Sequence, residues 1–167
     1  QRYVHILVDE FQDTDGTQYQ LVRQLSAKHR NVFCVGDEDQ SIYSWRGADF
    51  RNVLRFRRDY PDVQVILLEQ NYRSTQNILE AAKHVIALNT LRTEKELWTQ
   101  NEAGVPITLF EAYDEQEEAD YAVNEIKRLV TSGAAHLRDC AIMYRTNAQS
   151  RVLEDAFIRY GLPYKLV

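Results

Sequence analysis

Tyr3-Val4-His5-Ile6-Leu7-Val8-Asp9-Glu10 is a short, β-branched, apolar run that ends in two acids. Asn31-Val32-Phe33-Cys34-Val35-Gly36-Asp37 repeats the pattern, an apolar run stopped by glycine and followed by acids. Both have the length and composition of buried strands. Between them, Asp15 with Gln18 three residues later is a capping-box start. Tyr19, Val22 and Leu25 then fall on one face of a helix reaching about His29. Strand, helix and strand in this order predict two parallel neighbours with a helix packed on them.

Working outward, the alternation continues. The spacing predicts a helix from an Asp49 cap to Asp59, broken by Tyr60-Pro61, and a strand over 63–68. A helix capped by Ser74 should run to about Leu88, and 90–105 is polar and irregular. A strand over 107–110 precedes a helix from Asp114 to Thr131, with Gly133 after its end. A strand over 140–144, a helix over 147–160 stopped by Gly161, and a strand over 164–167 complete the series. The expected class is α/β: parallel sheets with flanking helices, in two half-domains, 1–70 and 71–167. There is no internal repeat by residue identity and no Gly/Ser linker.

Composition narrows the function. The chain has 167 residues, 44% hydrophobic and 27% charged, a mixture that excludes a disordered tail. A chain this long can bury about 70% of its unfolded surface. Its 20 Lys+Arg against 25 Asp+Glu give a net charge of −5, which argues against coating DNA by bulk charge but leaves room for a local site. No apolar run approaches the roughly 20 residues of a membrane span. Two cysteines, Cys34 and Cys140, make no disulfide framework and read as reduced thiols, which points to the cytoplasm. The four histidines show no metal-ligand spacing. The chain opens at Gln1 without Met or a signal-peptide pattern, and its first strand starts at once. A segment of a longer protein is expected.

The chemistry gathers at the strand ends, where open α/β sheets bind ligands. Asp9 can hold Mg²⁺ beside phosphates and Glu10 can orient a water, although strands also end in acids where they merely reach solvent. After the second strand, Gly36-Asp37-Glu38-Asp39-Gln40 leads into Ser41-Ile42-Tyr43-Ser44-Trp45-Arg46-Gly47. Gln40 can bond a phosphate oxygen or an attacking water. Tyr43 and Trp45 either stack on nucleobases, worth about 1–3 kcal/mol per base, or pack into the core. After the third strand, Glu69-Gln70-Asn71-Tyr72-Arg73-Ser74 brings a cation to the half-domain junction. There Arg73 either reaches a phosphate or pairs with a carboxylate. Arg51, Arg55 and Arg58 read as a solvated helix face. The acids crowding 111–120 favour a helix N-terminus rather than a metal.

Three long stretches in order are specific enough to carry a resemblance. Val8 to Thr14 resembles motif II of the UvrD/PcrA/Rep group of superfamily 1 DNA helicases, Val35 to Ala48 resembles motif III, and Leu68 to Ser74 resembles motif IV. Tyr144 to Arg151 and Gly161 to Tyr164 are similar to the second motor domain of that group. The resemblance implies a 3′-to-5′ motor on single-stranded DNA that parts duplexes, with ATP between two RecA-like P-loop NTPase domains. On it, residues 1–70 are the later part of the first domain and 71–167 the earlier part of the second.

By position, Asp9 serves Mg²⁺, Glu10 activates water, and Gln40 senses the γ-phosphate. Tyr72 lies on adenine and Arg73 is an arginine finger. Tyr43 and Trp45 stack on DNA bases with Arg46 near the backbone, and Asn147 and Arg145 touch the strand from the second domain. The family's phosphate loop is not in this sequence: no two of the six glycines stand five apart and none precedes Lys. Its later motifs, with a second arginine, are also missing. The chain alone is therefore expected to be inactive, to need the rest of its parent, and to be open to self-association through uncovered sheet edges. Two other readings stand beside the motor: the helicase part of a helicase–nuclease subunit, and a truncated, non-enzymatic DNA-binding module.

Overall fold

The computed structural model describes residues 3–89 and 92–167. It forms two compact units, Gln1–Ile107 and Thr108–Val167.

In the first unit, β1 (Ile6–Val8) and β2 (Val32–Cys34) pair in parallel, with Ile6 opposite Val32, Leu7 opposite Phe33 and Val8 opposite Cys34. The helix α1 (Gly16–Ser26) connects them. The capping box at its start is formed on both sides. Gln18 N–H donates to Asp15 Oδ1 at 2.8 Å, and Asp15 N–H donates to Gln18 Oε1 at 2.9 Å. The core is aromatic: Phe11 meets Tyr19 and Phe56 edge to face, with ring centroids 6.0 and 5.4 Å apart. Val8, Val32 and Cys34 pack on this cluster from the sheet, and Val53 from α2 (Arg51–Asp59). Only one face of the sheet is covered; Leu7 (74% exposed) and Phe33 (59%) look outward from the other.

Asn52 of α2 is fully buried. Its amide donates to Thr14 O, Thr14 Oγ1 and Asp15 O at 2.9–3.2 Å, which ties α2 to the entry of α1. Asp49 lies one residue outside the helix cap Phe50, yet its carboxylate still accepts from Arg51 N–H at 3.1 Å. The next helix, α3 (Gln76–Ile86), is capped by Thr75 rather than Ser74, and no side chain bonds its first turn. Backbone carbonyls do so instead: Gln76 N–H donates to Glu102 O and Asn77 N–H to Ala103 O, both at 3.0 Å.

The second unit is a helix pair, α4 (Glu115–Thr131) and α5 (Ser150–Arg159). Asp114 caps α4 by accepting from Gln116 and Glu117 N–H at 3.0 and 2.8 Å. Ala119, Val123 and Ala156 are buried between the helices, and Val152, Leu153, Phe157 and Leu162 close around them. Gly161, with φ of 66°, follows α5 in the left-handed conformation that a glycine adopts freely.

The segments 63–68, 107–110, 140–144 and 164–167 are not strands among the described residues. An extended backbone is a strand only when a neighbouring segment pairs with it, and among the described residues none pairs with these. The class is thus mixed helix and strand around a small parallel sheet.

Candidate functional site

The ends of β1 and β2 are joined by side chains. Glu10 follows Val8-Asp9 in a left-handed conformation (φ 48°, ψ 46°), a local strain that such sites often store. It turns the chain into a single 3-10 turn, Phe11–Asp13. Gln12 on that turn is 1% exposed and reaches both ways. Its amide nitrogen donates to Glu10 Oε2 at 2.8 Å, and its Oε1 accepts from Asp37 N–H at 3.0 Å. Asp37 Oδ2 in turn accepts from Gln40 Nε2 at 2.8 Å. Glu10 and Gln40, which follow different strands, are thus linked through the Gln12 side chain and through the backbone N–H and carboxylate of Asp37. A Cβ at Gly36 would lie 2.7 Å from Gln12 Oε1, so only glycine lets the two loops approach this closely.

Asp9 and Glu10 are both exposed, and Asp9 Oδ1 accepts from Glu10 N–H at 2.9 Å. No cluster of three ligating side chains stands ready to hold a metal among the described residues. The hard oxygen donors of one or two exposed carboxylates fit a Mg²⁺ that keeps its waters and takes its remaining ligands from phosphates.

Gln40 ends a 3-10 turn of its own, Glu38–Gln40, and leads into another, Ser44–Arg46, closed by Gly47 at φ 91°. Trp45 is 69% exposed, so it is not a core residue. The Tyr43 and Trp45 rings stand 6.3 Å apart, and the Arg46 guanidinium lies over both, 5.2 and 4.5 Å from their centroids. Flat aromatic surface and a cation are thereby combined on one exposed loop.

Tyr72 and Arg73 lie on the loop after the extended segment 63–68. Asn71 Oδ1 accepts from Arg73 and Ser74 N–H at 2.9 and 2.7 Å and so shapes this turn. Tyr72 is exposed and donates through its hydroxyl to Gln70 Oε1 at 2.7 Å. The Arg73 side chain is exposed and pairs with no carboxylate among the described residues. In the second unit, Asn147 and Arg145 are exposed near the start of α5. Gln149 Oε1 accepts from Arg145 N–H at 3.0 Å.

Three residues were not singled out from the sequence: Gln12, Asp37 and Lys95. Lys95 lies in the stretch read as irregular, and its ammonium contacts Asp37 Oδ1 and, at 3.1 Å, Asp39 Oδ2. Arg92 meets Asp39 Oδ2 at 3.0 Å and Thr93 N–H donates to Glu38 Oε1 at 2.7 Å. Arg92 and Lys95 stand more than fifty residues from the three consecutive acids 37–39, so the sequence carries no local signal of this contact. Desolvation pushes the Asp37 carboxyl up, but bonds from Lys95 and Gln40 outweigh it and hold it below the usual aspartate value. Desolvation likewise pulls Lys95 down, and Asp37 and Asp39 raise it above the usual lysine value.

Comparison with known proteins gives concordant matches. Residues 1–61 match the model of the UvrD/REP helicase N-terminal domain, and residues 66–167 match that of the UvrD-like helicase C-terminal domain. The chain is 52% identical over 166 residues to the ATP-dependent DNA helicase PcrA of Staphylococcus epidermidis. It is 50% identical to that of Bacillus subtilis and 51% to that of Staphylococcus aureus strain COL. Each alignment covers 99% of this chain and 22% of the relative, so the chain spans about a fifth of the length of these proteins.

Proposed function

Because the chain belongs to the UvrD/Rep helicase family, we propose that it is the middle part of an ATP-dependent DNA helicase moving 3′ to 5′ along single-stranded DNA. Residues 1–70 and 71–167 are parts of two RecA-like domains with the nucleotide between them. The change of family model between residues 61 and 66 supports a seam there. The protein acts in the cytoplasm on single-stranded and duplex DNA. The observation that carries the reading is the hydrogen-bonded line from Glu10 through Gln12 and Asp37 to Gln40, five residues before Trp45.

In this reading Glu10 accepts the proton of the attacking water, and Gln12 holds its carboxylate in place. Gln40 spends its amide nitrogen on Asp37, which leaves its carbonyl oxygen to accept from that water. Asp9 would hold Mg²⁺, which would offset the charge of the β- and γ-phosphates. Tyr72 offers a ring to the adenine. Arg73, which pairs with no carboxylate among the described residues, answers the charge that develops on the γ-phosphate. Tyr43 and Trp45 stack on bases, Arg46 meets the DNA backbone, and Asn147 and Arg145 contact the strand. ATP draws Arg73 in and closes the cleft; hydrolysis releases it. A shift at Gln40 reaches Trp45 along one short loop, so nucleotide state and grip on DNA change together.

The chain alone hydrolyses little ATP, since the phosphate loop lies in the remainder of the parent, and its exposed apolar faces favour self-association. The test uses the full-length protein. Glu10→Gln should lower DNA-stimulated hydrolysis by about 10²–10⁴, the usual worth of a general base, while nucleotide binding persists. Turnover at the parent rate would overturn the assignment.

A further inference from the structure

The polar stretch after α3 docks on two functional loops at once. Near its start, Arg92, Thr93 and Lys95 hold the acids that precede Gln40: Lys95 contacts Asp37 and Asp39, Arg92 pairs with Asp39, and Thr93 N–H donates to Glu38. Near its end, the backbone pairs with the loop that carries Arg73. Gln70 and Trp98 form a parallel bridge, Trp98 N–H donates to Glu69 O at 2.9 Å, and Asn71 N–H donates to Trp98 O at 2.7 Å. Glu96 N–H adds a bond to the Glu69 carboxylate at 2.7 Å. Arg57 of α2 donates to Thr93 Oγ1 at 3.0 Å and anchors the stretch from behind.

The charges in this contact are not a solvated surface pair. The Lys95 side chain is 11% exposed and that of Asp39 is 9% exposed. Lys95 is the cation between two carboxylates on one short loop. Without it Asp39 keeps Arg92, but Asp37 is left as a partly buried carboxylate beside Asp39 with no cation to offset it, and the loop must rearrange. Asp37 is also the acceptor that orients the Gln40 amide, so such a rearrangement reaches Gln40 directly.

We propose that Lys95 is a positioning residue for ATP turnover: by gripping Asp37 and Asp39 it sets the orientation of Gln40, and through residues 96–98 it ties the Gln40 loop to the loop that carries Arg73. The strap passes a shift at the γ-phosphate-sensing glutamine on to the loop of the arginine finger. This inference rests on the proposed role of Gln40.

The test is made in the full-length protein by DNA-stimulated ATP hydrolysis. Lys95→Met, which keeps the stem and drops the charge, is expected to lower kcat at least about tenfold, with KM for ATP and the Kd for single-stranded DNA changed by less than about threefold. Lys95→Arg should recover kcat to within about threefold of the parent. Because Lys95 acts through Gln40, adding Lys95→Met to Gln40→Ala should lower kcat by less than a further factor of about two.

A kcat for Lys95→Met within about twofold of the parent, or losses that multiply in the double variant, overturn the proposal. If Gln40→Ala turns over like the parent, the functional reading beneath it fails. If Gln40→Ala is impaired and Lys95→Met is not, only the positioning role fails. Each variant is melted first. Should Lys95→Met unfold below the assay temperature, Asp37→Asn takes its place, since it keeps an oxygen for Gln40 and loses the charge that Lys95 grips. It should lower kcat at least about fivefold, and parent-like turnover overturns the proposal equally.

Discussion

The two units are held together by opposite means. In the first, Gln12, Ser26 and Asn52 are buried polar groups, and each makes hydrogen bonds that join separate segments. In the second, the buried residues are Ala119, Val123 and Ala156, and no polar residue is buried as a whole among the described residues. Apolar contact is non-directional, so it fixes helices against each other and tolerates small shifts. Hydrogen bonds are directional, and a buried donor left unpaired is costly, so polar contacts hold loops in one arrangement. The unit with Glu10 and Gln40 therefore has loops of defined geometry on a very small sheet.

The contrast predicts that single substitutions act differently in the two units. The largest effect is expected from Asn52→Leu, which removes the three hydrogen bonds of a buried amide, to Thr14 O, Thr14 Oγ1 and Asp15 O, at about 1 kcal/mol each. Amide hydrogen exchange in α1 and α2 should rise accordingly, by more than about a hundredfold, with α4 unaffected. Protection in α1 that matches the parent would show that the polar tie is dispensable. Val123→Ala in the second unit should cost about 2 kcal/mol, from lost methyl groups and a small cavity. Its exchange effect should stay within α4 and α5, and DNA-stimulated turnover at a permissive temperature should remain at the parent rate. A fall in turnover would mean that the apolar pair, too, sets the site.

A pH titration sharpens the comparison further. The Asp37 and Glu38 carboxyls both stand below their usual values. At Glu38, desolvation is outweighed by bonds from Thr93. Groups depressed on folding stabilise the folded state above their unfolded pKa, and that stability is lost as pH falls through the folded pKa. The contact between residues 92–98 and the Gln40 loop should thus persist from neutrality to about pH 4 and loosen below it. The Thr93 amide proton, which donates to Glu38, is the reporter. An amide shift unchanged down to pH 2 would remove the carboxylates from the account.

What the sequence made legible follows the range of each interaction. The Asp15–Gln18 box and the Asp114 cap involve partners within three residues, and both formed as read. The parallel pairing of Ile6–Val8 with Val32–Cys34 was readable because one helix separates the runs. The segment 63–68 has strand composition but no pairing neighbour here, and composition carries no record of the neighbour. The cap of α3 was misplaced by one residue because backbone carbonyls at 102 and 103, rather than a hydroxyl, satisfy its first turn. Lys95 was invisible for the same reason: its partners lie 56 and 58 residues away, and a polar, irregular stretch gives no period from which to infer them.

The smallest expected effect concerns the cysteines, one in each unit. Cys34 ends β2 on the covered face of the sheet, packed against the Phe11 cluster, and burial pushes its thiol up to about 11. The thiolate is the species that reacts, so at pH 8 only about one Cys34 in a thousand is reactive. Iodoacetamide should modify it far more slowly than free cysteine, and the rate should rise about tenfold per pH unit between 7 and 9. Full denaturation should abolish the difference. The measurement also bears on the sheet, because a parent-like melt with fast alkylation at pH 8 would mean that β2 opens locally without the core. In that case the polar ties around Gln12 and Asn52, rather than the aromatic cluster, are what keep this unit closed.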